Sequence, residues 1–252
     1  GPSPTPRCAS AWHATSPRCD GPRRFNMSEW WTYRPEDFLM FAPRTYWRLF
    51  ELHNQAWWPA QALAALAGLA IVGGLWRSRP AALRFATGVL ALSCAFVAWA
   101  FLWQRYAVIN WAAQGLAWAF GAQAIGLLVL ATRASLVMAA GQMRQQVGLG
   151  LLVWAVLLHP LLAPALGRPW VQAEVLGLAP DPTAIAMLGV LLCADALSRA
   201  TRVVLGVLRA GALAWCAVSA ATLATMGSAQ GWVMLGAVVV AAAGMVFGRA
   251  RT

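Results

Sequence analysis

A chain of 252 residues that is 60% hydrophobic and only 11% charged is not an ordinary water-soluble domain, in which about a quarter of residues are charged. Its net charge of +11 does not point to nucleic acid either, because the arginines sit between hydrophobic spans rather than forming one basic face. A lipid bilayer is the solvent that suits this composition, and the arginines then report topology, since basic residues are retained on the cytoplasmic side of membranes.

Residues 1–26 contain Pro, Ser and Arg without a continuous apolar run, so they are not a secretory signal peptide. They read as unstructured polar chain, and Met27, at the change to aromatic-rich sequence, reads as the start of the protein proper. A short transit peptide is the rival reading of this leader. All 19 basic residues are Arg and none is Lys, which fits a high-GC bacterial genome.

Residues 27–56 come next, and within them 36–52 mixes Phe38, Phe41, Tyr46, Trp47 and Phe50 with Arg44, Arg48 and Glu51. Aromatic and charged residues interleaved in this way predict an amphipathic segment lying along the outer interface, with anchoring preferred over a role as a lid. The remainder, 57–252, predicts a helical bundle. Hydrophobic runs between arginines give seven spans near 57–76, 82–104, 109–132, 147–166, 183–198, 204–226 and 230–248. In lipid the backbone must satisfy its own hydrogen bonds, so these runs are helices and the fold class is an all-α integral membrane bundle. The fifth span is short and follows Pro180-Asp181-Pro182, which cannot continue a regular helix from upstream. Residues 172–180 therefore read as a segment that dips partly into the membrane, which is tolerated where the chain is buried in protein or lines a cavity.

Alternate loops divide the 15 arginines outside the leader ten to five. The positive-inside rule then places the C-terminus in the cytoplasm and the segment after Met27 outside, as in a bacterial inner-membrane protein. Trp57, Trp58, Trp103, Trp111 and Trp232 fall near predicted outer ends and Trp76 near an inner one, where indoles anchor at the water–lipid boundary.

Five cysteines include no C-x-x-C pair; Cys94, Cys193 and Cys216 stand alone within apolar runs and read as small buried hydrophobes. No phosphate-binding loop, dinucleotide fingerprint, H-E-x-x-H or G-x-S-x-G is present, and no nucleophile–base pair is visible, so a non-enzymatic role without a cofactor is expected. The polar residues that remain gather on the predicted outer side. His53, Asn54 and Gln55 stand at the mouth of the first span, Arg105, Tyr106 and Asn110 join the second and third, His159 ends the fourth, and Glu174, Asp181 and Thr183 occupy the irregular stretch beyond it. Ionisable residues at membrane depth are costly and tend to face the bundle interior or a wet cavity. His53, Asn54, Asn110, His159, Glu174 and Asp181 are accordingly the candidate contacts of an outward-facing pocket for a small solute or ion. His and carboxylate side chains also suit divalent ions, but no two of these have a diagnostic ligand spacing, and interfacial hydrogen bonding is the plainer role.

Asp195 and Arg199, four residues apart, predict an ion pair on one helix near the inner interface. In the last span Ala237, Ala241, Gly244 and Gly248 make a small-residue face that suits close packing within the molecule, with homodimerisation the sharper alternative. The partners expected are thus lipid, a small solute or ion, and a second copy or another membrane protein. A non-catalytic membrane subunit is the rival to solute binding.

Two stretches carry a resemblance. Phe50-Glu51-Leu52-His53-Asn54-Gln55-Ala56-Trp57-Trp58-Pro59-Ala60-Gln61 is the first. His159-Pro160, followed by Gly177-Leu178-Ala179-Pro180-Asp181-Pro182-Thr183 and then Leu188-Gly189, is the second. With the hydropathy profile they resemble, from about Met27 onward, a family of bacterial multi-pass membrane proteins known only as domain of unknown function 6064. The resemblance implies the membrane bundle and weight on the loop before Asp181, and it implies no activity. In that family a Cys often stands between the two prolines. This chain has Asp181 there, so thiolate chemistry is not carried over, whereas a carboxylate can bind a harder cation.

Overall fold

The computed structural model describes residues 41–248; the leader, Met27, Phe38 and the terminal Arg249 and Arg251 lie outside the described residues. The described chain is nearly all helix. Helix α1 (Pro43–Ala56) has Pro43 at its first position, where a missing N–H is harmless. Every fourth or third residue along one side, Tyr46, Phe50 and His53, is buried. After Trp57–Pro59 the chain turns by 91° into α2 (Ala60–Trp76). Helix α2 shows no amphipathic pattern, and Leu63, Leu66 and Leu69 stand exposed along it.

Helix α3 (Pro80–Phe96) continues as a π-helical stretch, Val97–Trp103, and α4 (Ala113–Thr132) returns antiparallel to it. Helix α5 (Gln142–Val153) also passes into a π-helical stretch, Trp154–Leu158, and then into a single tight turn, His159–Leu161. Pro160 explains the change, since it has no N–H to give to the carbonyl four residues back and its ring crowds that carbonyl. A four-residue α6 (Leu162–Ala165) ends this arm. After the loop to Ala179 come α7 (Pro180–Leu192), α8 (Arg199–Thr225) and α9 (Gln230–Phe247).

Among the described residues five helical runs, Ala81–Val108, Ala113–Thr132, Gln142–Ala165, Arg199–Thr225 and Gln230–Phe247, are long and apolar enough to cross a bilayer, and α1 with α2 would make a sixth if the bent pair is one span. The predicted fifth crossing, 183–198, is not such a helix. Helix α7 has 13 residues, about 20 Å at 1.5 Å each, against the roughly 30 Å of a hydrocarbon core. All 13 of its residues are buried, so it is the axis around which the other helices pack. The preceding stretch is largely buried as well, including Ala173, Glu174, Leu176, Leu178 and Ala179.

Helix α7 reaches α5 through a pair of glycines. A Cβ on Gly148 would stand 2.5 Å from the Gly189 carbonyl oxygen, and one on Gly189 would stand 2.6 Å from that of Gly148. The two backbones touch, which only glycine permits.

The loops gather at two ends. At the lower end, short strands β1 (Leu136–Met138) and β2 (Ala194–Ala196) pair antiparallel, with Val137 opposite Asp195. This ribbon gives partners to backbone groups stranded between α7 and α8, a requirement that the sequence pattern does not display. It also changes one predicted contact. Asp195 is on a strand, not a helix, so it does not pair with Arg199; its Oδ2 lies 3.4 Å from Arg144 Nη1. Arg144 Nη2 and Arg209 Nη2 both donate to the Ala194 carbonyl at 2.8 Å. At the same end Ser198 caps α8, its hydroxyl accepting from the Thr201 N–H.

The small-residue face of α9 is turned inward. Ala241 is fully buried, and Gly244 sits against Val147 and Leu192. Outside, large apolar side chains are bare: Trp118, Leu92, Val207, Val246 and Phe247 are among them. Of the predicted anchors, Trp58, Trp76, Trp111 and Trp232 are each exposed by about three quarters. Cys94, Cys193 and Cys216 are free and buried, as read from the sequence.

Candidate functional site

At the upper end, Arg168, Glu174, His159, Gln230 and Asp181 converge from four different elements. The loop after α6 turns at Gly167, whose φ of +74° suits glycine, and delivers Arg168. Its guanidinium lies over the Trp47 ring of α1, 3.5 Å from the centroid, a cation–π contact that holds the charge in place. Arg168 Nη2 donates to Gln230 Oε1 at 2.6 Å, and Gln230 Nε2 donates to Glu174 Oε1 at 2.7 Å. The glutamine at the start of α9 thus bridges cation and carboxylate, whose own closest approach is 4.0 Å. Burial lowers the Arg168 pKa and Glu174 pulls it back up; a guanidinium keeps its charge through such a shift.

His159 Nε2 lies 3.5 Å from the other glutamate oxygen, Oε2, with the two side chains essentially buried. That is ion-pair distance without hydrogen-bond alignment. Among the described residues, both ring nitrogens of His159, Glu174 Oε2 and Arg168 Nη1 are buried and find no hydrogen-bond partner. Such groups cost roughly 1–3 kcal/mol each unless something satisfies them, so this is where the molecule's polar chemistry is concentrated.

Asp181, in the first turn of α7, forms the lower part of the cluster. Trp215 Nε1 donates to its Oδ1 at 2.9 Å and Ser219 Oγ to its Oδ2 at 2.7 Å. Trp215 and Ser219 are one turn apart on α8 and so share a face. The flanking prolines are accommodated because first-turn N–H groups have no helical partner, and a carboxylate is favoured at a helix N-terminus. The carboxylates of Asp181 and Glu174 are close enough to interact, and Tyr46 feels both. Burial first, then these carboxylates, push the Tyr46 phenol well above its ordinary value.

The other predicted contacts do different work. Asn54 is a clip: its Nδ2 donates to the carbonyls of Val171 and Ala173, both at 2.8 Å, tying α1 to the loop that carries Glu174. Asn110 closes a local turn, donating to the Tyr106 hydroxyl at 3.1 Å and accepting from the Ala112 N–H at 3.0 Å. His53 is buried among Phe96, Phe101 and Trp57, in an aromatic pocket away from the cluster's hydrogen bonds. Thr183 accepts from the Gly177 N–H at 2.8 Å, and Gly177 takes φ +80° to present it. Among the described residues no three His, Cys, Asp or Glu side chains form a group able to hold a metal ion.

Sequence reasoning missed Arg168, Gln230, Trp215 and Ser219 as members of this cluster. Arg168 was legible only as a topology charge, and Trp215 and Ser219 carried one signal, their spacing of four in the arginine-free half of α8. Beside the Asn54 clip lies a groove of about 600 Å³ bordered by Gln61, Trp58, Trp170, Val156 and Pro160.

No curated protein and no solved structure matches the chain. A family model described as "Family of unknown function (DUF6064)" matches residues 44–252, which takes in every residue of the cluster. The match runs from Arg44 in the first turn of α1 through α9 and begins beyond the Met27 boundary drawn from the sequence. The chain belongs to that family of unknown function.

Proposed function

We propose that this chain is a multi-pass membrane protein that binds, or lets pass, a small solute or ion at the Arg168–Glu174–His159–Asp181 cluster, without catalysing a reaction. The observation that carries the reading is the set of buried, unpartnered polar atoms on His159, Glu174 and Arg168, gathered at one end of an otherwise apolar bundle. Buried polar groups in a membrane-spanning bundle are expensive and mark ligand or ion pathways. Helix α1 acts as the cover, since Trp47 lies on Arg168 and Asn54 grips the loop beneath. The groove beside Asn54, bordered by Pro160 next to His159, offers a way in.

The proposed topology keeps seven crossings, counting buried residues 173–192 as the fifth, with the cluster outside and the C-terminus in the cytoplasm of a bacterial inner membrane. The ten-to-five arginine asymmetry supports it. Native mass spectrometry of the protein released gently from its own membrane tests the binding reading. A small species carried by the wild type and lost from a His159→Ala, Asp181→Asn double variant is expected. A wild-type chain as bare as the variant would remove solute binding and leave the subunit reading.

A further inference from the structure

The charges of the cluster do not balance. Among the described residues Arg168 is the fixed cation of the cluster, 4.0 Å from Glu174, and Asp181 interacts in turn with Glu174 and His159. The other titratable groups that face it are neutral in their ordinary states: the phenols of Tyr46 from α1 and Tyr106 from the turn after α3, and the Cys216 thiol from α8. Helix α9 contributes the uncharged Gln230, and α5 contributes His159. One negative charge is therefore unmatched inside the bundle, where a lone buried charge is strongly unfavourable.

A metal cation is a poor counter-charge here. No group of three suitable ligands forms among the described residues, and the guanidinium 4.0 Å from Glu174 would repel it. A proton suits better, because a neutral imidazole has one acceptor nitrogen and the two carboxylates accept as well. His159 has both nitrogens unpartnered, Glu174 Oε2 is unpartnered 3.5 Å from it, and both side chains are more than nine-tenths buried.

We infer that the cluster is a binding site for a single proton, shared among His159, Glu174 and Asp181 and exchanged with the water on the Arg168 side. The proton enters as a proton from that water and leaves to it, and no bond other than its own N–H or O–H is made or broken. The inference rests on the cluster being the working site and names the ion. Gaining the proton neutralises the site; losing it restores a net negative charge.

Infrared difference spectroscopy of the protein in phosphatidylcholine nanodiscs, stepped in pH across the neutral range, tests this. The wild type is expected to show one protonation step per chain in the imidazolium or carboxylic-acid bands. Asp181→Asn keeps the size of the side chain and removes the unmatched charge, so the step should vanish; Ser219 can turn its hydroxyl to meet the amide. Glu174→Gln should also abolish it. If either variant fails to melt like the wild type, the other is read. No step in the wild type, or the same step in a folded variant, overturns the inference, as does a step suppressed when choline is exchanged for sodium. A solute seen by mass spectrometry with no titration step would keep the binding reading and remove the proton. A step on a bare chain would keep the proton and remove the solute.

Discussion

Asn54 and Glu174 show how much a single side chain can organise at the upper end. Asn54 satisfies two carbonyls of the Val171–Ala173 loop that have no helix to serve them. Asn54→Ala strips both, and a loss of about 1 kcal/mol or more is expected in a thermal melt in detergent, given the usual cost of orphaned buried acceptors. A melt unchanged from the wild type would mean that water replaces the amide. Glu174→Ala should be worse, by roughly 3–5 kcal/mol, since it leaves the Arg168 charge without its carboxylate. Glu174→Gln should cost less, because the amide oxygen still accepts from Gln230; equal losses for the two would show that packing, rather than the bridge, is what matters.

Among the elements, α7 is the one whose environment sets its role. Its contact with α5 is backbone on backbone at Gly148 and Gly189, where an added methyl meets a carbonyl oxygen. Gly189→Ala is expected to destabilise by about 1–3 kcal/mol, as overpacking does. Gly150 lies two residues beyond Gly148 on α5, on the opposite side of that helix, with nothing within 4 Å of its would-be Cβ. Gly150→Ala should therefore be neutral or raise stability by up to about 1 kcal/mol through helix propensity alone. Measuring both by melt separates a glycine held by a contact from one that is merely tolerated, and similar losses at the two sites would contradict the close approach. The π-helical stretch before His159 belongs at this scale too, because Pro160 and the widened turn together set where the imidazole points.

For the whole molecule, the proposed sidedness can be checked because Cys94, Cys193 and Cys216 are buried and leave a quiet background for labelling. Ala229→Cys and Ala134→Cys each place a thiol on an exposed loop, at the upper and lower end respectively. A membrane-impermeant maleimide applied to intact cells is expected to label the first and not the second. The reverse pattern would invert the topology and turn the cluster toward the cytoplasm.

Composition and hydropathy were enough to establish the all-α bundle, because a chain this apolar has few ways to satisfy its backbone except helices. Helix ends were legible from arginine, proline and tryptophan, and His159, Glu174 and Asp181 stood out as ionisable residues in apolar surroundings. Tertiary structure alone decided the rest. Asp195 turned from Arg199 to Arg144 because a strand replaced a helix end. Asn54 and Asn110 became structural clips, and Arg168, Gln230, Trp215 and Ser219 joined the cluster from positions up to 62 residues apart in the chain. Hydropathy is a local quantity that reports which segments leave water. Which polar groups then meet depends on crossing points such as Gly148–Gly189, and no local property of the chain encodes those.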